Sequence, residues 1–128
     1  MKYSESLKKN ADFNLVYQSG RSLANKYLVM YVRENGVNKN RLGISVSKKV
    51  GNSIVRHRLT RLVRESYRLQ EDHFRCGLDI VVIARNSAKD KGYREIESAL
   101  IHLGNLHKIY TEVMDSEKDN DCIHQVLS

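Results

Sequence analysis

The sequence predicts an α/β fold in which a mixed sheet of about four strands packs against three helices. Residues 27–32 (YLVMYV) are β-branched and aromatic, residues 41–47 (RLGISVS) alternate in polarity, and residues 78–84 (LDIVVIA) are almost entirely apolar. Segments with helical spacing of apolar residues lie before, between and after these strands. The predicted order is helix, two strands, helix, strand, helix, and it fits a single domain over residues 1–110.

The first helix is expected at residues 11–19, after nine residues that read as extended or loosely ordered. Asn10 has a side chain suited to cap this helix, and Gly20 is suited to end it. One helix face holds Phe13, Val16 and Tyr17.

Residues 22–33 are expected to form a strand, and the sequence does not decide whether this is one strand or two. Alternation divides its side chains between one face with Tyr27, Val29, Tyr31 and Arg33 and another with Leu28, Met30 and Val32. After a turn-rich loop, the strand at residues 41–47 directs Leu42, Ile44 and Val46 to one side. The apolar run at residues 78–84 predicts a central strand covered on both faces.

A basic helix is predicted from the segment at residues 48–68, KKVGNSIVRHRLTRLVRESYR, which holds seven Lys or Arg residues and only one acid, Glu65. Its buried arc is predicted to contain Val55, Leu59, Leu62, Val63, Ser66 and Leu69, and its polar arc Arg56, His57, Thr60, Arg61, Arg64 and Arg68. Gly51 and Asn52 suit a turn and a cap at its start, where free N–H groups would lie beside Lys48 and Lys49. The helix is expected to end near Gln70.

The polar arc of this helix has two interpretations, a solvated surface or a site for a polyanion. The second is favoured because its cations are nearly all Arg, whose guanidinium matches phosphate in pairs, and because acidic partners four residues away are almost absent. Nucleic acid is the expected partner. A helix-turn-helix DNA-binding protein is disfavoured, since no partner helix immediately precedes the basic helix. We therefore expect no DNA partner.

The last helix is expected near residues 93–110, with Ile96, Leu100 and Leu103 as its buried stripe. The tail at residues 111–128 carries five acids and one Lys, and we expect it to be disordered. Because this tail contributes −4 to a net charge of +7, residues 1–110 carry +11.

Composition excludes several function classes. No run of 18 apolar residues and no signal peptide is present, so we expect a cytoplasmic protein that does not contact a membrane. Cys76 and Cys122 lie in no CxxC pattern and are expected to be free thiols. Neither a metal site nor a catalytic constellation of nucleophile and base is expected. His57 lies on the basic face, where a polar contact is expected rather than acid–base catalysis.

Three segments together resemble the protein component of bacterial ribonuclease P. Residues 7–20 (LKKNADFNLVYQSG) are similar to the family's opening, residues 21–32 (RSLANKYLVMYV) to its first strands, and residues 41–65 (RLGISVSKKVGNSIVRHRLTRLVRE) to its signature segment. The resemblance implies an α+β sandwich of the type named after the second domain of a small-subunit ribosomal protein. It also implies a left-handed crossover through the basic helix, whereas general handedness rules would favour a right-handed one.

The resemblance further implies a role in removing the 5′ leader from precursor tRNA, with the chemistry performed by a catalytic RNA that uses magnesium. The protein alone would hold no cofactor and would have no nuclease activity. The resemblance matches Arg56, His57, Arg58, Arg61 and Arg64 to RNA-binding positions of the family. The charge pattern and the helix start add Lys48, Lys49, Asn52 and Arg68 to the residues expected to bind the RNA. His57 stands where the family has an asparagine between two arginines, and Thr60 where a lysine is common.

The resemblance also implies a groove for the single-stranded leader between the first helix and the sheet. Its matching positions are Phe13, Tyr17 and Tyr31, and Arg33 shares a strand face with Tyr31. Core packing and a groove position are equally compatible with Phe13, whereas the hydroxyls of the two tyrosines favour an edge position. The alternative function is a general RNA-binding module of ribosomal or RNA-chaperone type. Dependence of binding on the leader would distinguish the two functions.

Overall fold

The computed structural model describes residues 4–112 and contains eight main elements and two short 3-10 turns. The strands are β1 (Ser4–Ser6), β2 (Arg21–Ala24), β3 (Leu28–Glu34), β4 (Asn40–Ser45) and β5 (Leu78–Ala84). The helices are α1 (Asn10–Ser19), α2 (Ser53–Gln70) and α3 (Tyr93–Leu106). The 3-10 turns are Glu71–His73 and Asn86–Ala88.

The strands form one mixed sheet in the order β1-β4-β5-β3-β2. Strand β5 pairs in parallel with β4 and antiparallel with β3, so the predicted central position of residues 78–84 is confirmed. Strands β4 and β5 are parallel neighbours joined through α2, as the implied crossover requires. The left-handed sense of that crossover stays a prediction.

The prediction of about four strands is corrected to five. Residues 4–6, which the sequence predicted to be extended or loosely ordered, are extended and pair in parallel with β4. Residues 22–33 are not continuous, because the Asn25 carboxamide accepts hydrogen bonds from the N–H groups of Tyr27 at 3.2 Å and Leu28 at 3.0 Å and closes a turn between β2 and β3. Tyr27 therefore lies before β3 and packs against the other face from the one predicted.

The main core lies between the sheet and the pair of helices α2 and α3. From β3 it takes Leu28, Met30 and Val32, as alternation predicted. The predicted stripe of α3 is confirmed, since Ile96, Leu100 and Leu103 are fully buried. On α2 the buried residues are Leu59, Val63, Ser66 and Tyr67, while Leu69 is half exposed, contrary to its predicted position.

The opposite face of the sheet is covered by α1 alone. Val16 of α1 is fully buried against Val81 of β5, and Leu7 completes this smaller cluster. The predicted cap at Asn10 was wrong, because the helix begins at that residue and the capping position is Lys9, without a side-chain bond. The helix ends at Ser19 as predicted. A Cβ atom on Gly20 would lie 2.6 Å from the Val16 carbonyl oxygen, so only glycine fits there.

The predicted cap of α2 is confirmed, because the Asn52 carboxamide oxygen accepts the Val55 N–H at 3.0 Å. Helix α3 ends four residues before the predicted boundary, at Leu106. Beyond it, Lys108 adopts a left-handed φ of 62°, which is incompatible with a continuing helix.

Cys76 is buried and disulfide-bonded, so the prediction of a free thiol was wrong for this residue. Cys122, and residues 113–128 of the predicted disordered tail at residues 111–128, lie outside the described residues. Within the described part of the tail, the Thr111 N–H donates to the His73 carbonyl oxygen at 2.9 Å. None of the helices within residues 4–112 is long and apolar enough to cross a membrane.

A buried polar cluster ties α2 to the edge of the sheet. The Tyr67 hydroxyl lies 2.8 Å from the Ser4 hydroxyl and accepts a hydrogen bond from the Asn40 amide at 3.2 Å. Burial raises the pKa of Tyr67 to about 12 despite these two bonds. The cluster fixes β1, β4 and α2 relative to one another.

Replacing Tyr67 by Phe removes this hydroxyl without creating a cavity. We expect the free energy of unfolding to fall by about 1–2 kcal/mol, because Ser4 loses its buried partner. Urea denaturation of the wild type and the variant measures the change. Tyr110→Phe is the control, because its hydroxyl bonds Gln70 in a half-buried position, and an equal loss in both variants would contradict the special role of the buried cluster.

Candidate RNA interface

The basic face of α2, defined as Arg56, His57, Arg61 and Arg64, lies opposite the side that packs on the core. Arg61 and Arg64 are exposed and make no hydrogen bond or ion pair with other residues of the described chain. His57 is exposed beside them. The Arg56 Nε is buried and has no partner within residues 4–112. The exposed guanidinium groups of Arg61 and Arg64 are therefore available to bind phosphate.

Two other predicted RNA-binding arginines of α2 are already engaged. The Arg58 guanidinium donates hydrogen bonds to the carbonyl oxygens of Lys89, at 3.3 Å, and Lys91. Arg68 forms an ion pair with Glu65 at 2.5 Å, and its hydrogen bonds lower the pKa of that carboxyl group. An exposed pair of this kind is weak, because water screens it, and it can open to bind another anion.

The remaining predicted RNA-binding residues surround the start of α2. Lys48 and Lys49 are exposed in the preceding turn, which is closed by a hydrogen bond from the Val50 N–H to the Ser47 carbonyl at 3.0 Å. Asn52 is occupied as the helix cap. Lys48 and Lys49 thus add two ammonium groups beside the N-terminal end of the basic face.

A second surface lies where α1 crosses the sheet, and three aromatic rings meet there. The Tyr17 and Tyr31 rings are 5.0 Å apart at 71°, and the Phe13 and Tyr17 rings are 6.3 Å apart. All three residues are half-buried. The Phe13 ring lies on the backbone of Gly43, where a Cβ would come within 2.7 Å of it. Phe13 is therefore partly a packing residue and partly a groove residue.

The aromatic groove is defined here as the cavity of about 360 Å³ lined by Asn10, Phe13, Asn14, Tyr17, Ile44 and Ser45. The Tyr31 ring is not among the lining residues, but it packs edge-on against the Tyr17 ring. Ring faces and carboxamide groups offer stacking and hydrogen bonds without charge. This arrangement suits unpaired bases of varied sequence.

Arg33 does not line the aromatic groove, although it shares a strand face with Tyr31. Its Nη1 lies 3.5 Å from Asp79, whose carboxylate is fully buried. The same carboxylate accepts two hydrogen bonds from Arg41 at 2.7 Å each and one from Asn35 at 3.0 Å. Sequence reasoning missed this cluster because it treated residues 78–84 as an apolar strand. The strand register is what aligns Arg33, Asp79 and Arg41.

The Asp79 cluster also positions α1. Arg41 lies 3.8 Å from Asp12 on that helix, so an ionic chain runs from the central strand to the helix that carries Phe13 and Tyr17. Burial opposes ionisation of Asp79, but the hydrogen bonds from Arg41 and Asn35 outweigh it, and its pKa is lowered. The pKa of Arg41 is raised by the same bonds.

No group of three or more His, Cys, Asp or Glu side chains that could hold a metal ion occurs within residues 4–112. The two surfaces and the mixed sheet instead define a class of protein: a small basic α/β protein that binds RNA.

Comparison with known proteins identifies the family. A family model described as Ribonuclease P matches residues 1–108. The ribonuclease P protein component of Lachnoclostridium phytofermentans is 59% identical over 118 residues, covering 92% of this chain and 99% of the relative. The ribonuclease P protein component of Alkaliphilus metalliredigens is 55% identical over 103 residues, covering 80% of this chain and 93% of the relative.

Solved structures agree. The RNase P protein of Staphylococcus aureus superposes with a TM-score of 0.78 at 39% identity, covering 84% of this chain and 99% of that one. The RNase P protein of Thermotoga maritima superposes with a TM-score of 0.74 at 35% identity, covering 80% of this chain and 96% of that one. The chain belongs to the ribonuclease P protein family. It is a protein subunit of a tRNA-processing endoribonuclease whose catalysis is performed by RNA.

Replacing Arg61 and Arg64 together by Ala should weaken RNA binding and flatten its dependence on salt. Each lost phosphate contact removes roughly 0.7–0.9 from the slope of log affinity against log salt. Titrations with the RNA partner at several salt concentrations measure the slope. The Arg61→Lys, Arg64→Lys variant is the matched control, because it keeps the charge and should retain most of the slope. An unchanged slope in the alanine variant would remove this face from the interface.

Replacing Asp79 by Asn should lower the free energy of unfolding by roughly 3 kcal/mol near neutral pH, because Arg41 loses a buried charged partner. The folded-state pKa of Asp79 is lowered from 3.8, so its ionisation stabilises the fold above that pH and the gain is lost as the pH falls through the folded value. The difference in free energy of unfolding between the wild type and the variant should therefore be smaller at about pH 3 than at about pH 7. Urea denaturation at both pH values measures it. A difference independent of pH would contradict the ionic account.

Proposed function

We propose that the protein joins two RNA segments, binding the catalytic RNA of ribonuclease P through the basic face of α2 and the 5′ leader of precursor tRNA through the aromatic groove. The observation that carries this proposal is the groove itself. Half-buried rings of Phe13 and Tyr17, supported by Tyr31, line an open cavity on the sheet face opposite the one that packs against α2. Because the two surfaces do not overlap, both RNA segments can bind at once.

The chemistry of the aromatic groove fits a leader of variable sequence. Every base has a face that can stack on an aromatic ring, and each such contact contributes ~1–3 kcal/mol with little sequence preference. Asn10 and Asn14 at the groove can donate or accept hydrogen bonds, so they tolerate different base edges. Precursor tRNAs with different leader sequences can therefore bind with similar affinity.

The basic face of α2 fits a folded RNA, where phosphate groups follow one another along a backbone. Arg61 and Arg64 are three residues apart and therefore neighbours on the helix surface, so they can contact successive phosphates. Lys48 and Lys49 extend the positive charge past the start of the helix. Divalent magnesium belongs in this proposal to the RNA, and the complex works in the cytoplasm, where precursor tRNA is made in bacteria.

A general RNA-binding module of ribosomal or RNA-chaperone type would share the basic face but would not need the aromatic groove. Family membership disfavours that alternative. Leader dependence separates the two functions experimentally, because only a leader-binding subunit makes the RNA–protein complex hold precursor tRNA more tightly than mature tRNA.

Replacing Tyr17 by Ala should weaken binding of precursor tRNA to the RNA–protein complex by ~1–3 kcal/mol, through loss of one stacking contact. Mature tRNA, which has no leader, should bind as it does to the wild type. Equilibrium binding of both tRNAs measures the difference. Tyr17→Phe is the control and should bind precursor tRNA nearly as well as the wild type. Equal losses for both tRNAs would assign Tyr17 to the core.

The protein without its RNA should not cleave precursor tRNA at the leader junction. The reason is that the proposal gives the protein binding surfaces and leaves the chemistry to the RNA. Incubation with magnesium and end-labelled precursor tRNA tests this, with the reconstituted complex as the positive control. Leader cleavage that survives nuclease treatment of the protein preparation would contradict the proposal.

A further inference from the structure

A third surface of the molecule has features of an RNA contact and belongs to neither surface described above. A cavity of about 540 Å³ lies between the β2–β3 turn and α3, and Lys26, Tyr27, Arg94, Glu95, Ser98 and His102 are among its lining residues. Its volume is in the range of pockets that hold small ligands. None of its residues lines the aromatic groove.

Two lysine side chains lie beside the tyrosine ring that lines the cavity. The Lys26 Nζ lies 5.4 Å from the centroid of the Tyr27 ring, and the Lys91 Nζ lies 5.7 Å from it. Arg94 lines the same cavity, while the nearby carboxylates are Glu95 in the wall and Asp90, 3.8 Å from Lys91. Cations exceed anions here, so the surface favours a ligand with negative charge.

The turn that forms one wall of the cavity is held rigidly. The Asn25 amide donates to the Ala99 carbonyl of α3 at 2.9 Å, and the Asn25 carbonyl accepts from the Arg85 guanidinium at 2.6 Å. The Tyr27 carbonyl accepts the Arg85 N–H at 2.9 Å, and the Ser87 hydroxyl donates to the Lys26 carbonyl. The backbone of Lys26 and Tyr27 is therefore held in place before any ligand binds.

This cavity adjoins the basic face of α2 through Arg58. The Arg58 guanidinium holds the carbonyl oxygens of Lys89 and Lys91, so the loop that carries Lys91 is fixed beside α2. Positive charge thus continues from α2, across the loop, to the Tyr27 ring. A phosphate backbone that leaves the basic face in this direction would reach the cavity.

We infer that the cavity is an additional RNA contact, which takes one unpaired nucleotide of the same RNA that binds α2. Lys26, Lys91 and Arg94 bind its phosphates, and the base enters the cavity with the Tyr27 ring as one wall. Because the inference rests on the proposed function, its test includes a variant of α2 that reports on that function separately.

The first test is the salt dependence of binding between the full-length protein and ribonuclease P RNA. Lys26→Ala with Arg94→Ala should reduce the log–log slope by roughly 1.4–1.8, since two phosphate contacts are lost. Both side chains are exposed, so the fold should persist, and circular dichroism checks this. The charge-matched control is Lys39→Ala with Arg75→Ala, two residues near the opposite end of β5. The control should change the slope much less.

The second test is a direct contact. Ser98→Cys, labelled with an azidophenacyl group, should cross-link to ribonuclease P RNA on irradiation, because Ser98 lines the cavity. A slope change no larger than that of the control, or no cross-link, would overturn the inference. If Arg61→Ala with Arg64→Ala still weakens binding in that case, the proposed function stands and only the additional contact is lost.

Discussion

The structure depends on one constraint, the burial of the central strand β5 on both of its faces. Every residue of this strand except Ile83 is buried, including the carboxylate of Asp79. Helices α2 and α3 cover one face together, and the ten-residue helix α1 covers part of the other. The aromatic groove exists because α1 is too short to cover that second face completely.

The same constraint explains how charge is distributed. A carboxylate buried in the centre of a sheet must be paired, and Arg41, Asn35 and Arg33 supply its partners. The guanidinium groups of Arg41 and Arg33 are thereby committed to structure, as that of Arg58 is to the loop before α3. Arg61 and Arg64 have no such structural partner among residues 4–112. An arginine that stabilises the fold is therefore distinguished from one that can bind RNA by whether its guanidinium group is already bonded within the protein.

Local patterns predicted the elements well, and long-range contacts account for what they missed. Three features could be predicted because each depends on residues that are close together in the sequence. They are the apolar run of β5, the buried stripe of α3 and the Asn52 cap. Strand β1 has only three residues and pairs with residues 40–42, far along the chain. The role of Asp79 depends on strand register, and the turn at Asn25 on side-chain hydrogen bonds. Among site residues, Phe13, Tyr17 and Tyr31 meet as predicted, whereas Arg33 lies beyond the groove.

In the proposed function, one small protein positions the leader against the catalytic RNA. The most direct measurement places an iron chelate on Asn14→Cys, at the aromatic groove, and maps hydroxyl-radical cleavage in the complex with ribonuclease P RNA and precursor tRNA. The account predicts cleavage of leader nucleotides next to the tRNA junction. Cleavage confined to the catalytic RNA or to the mature tRNA body would contradict it.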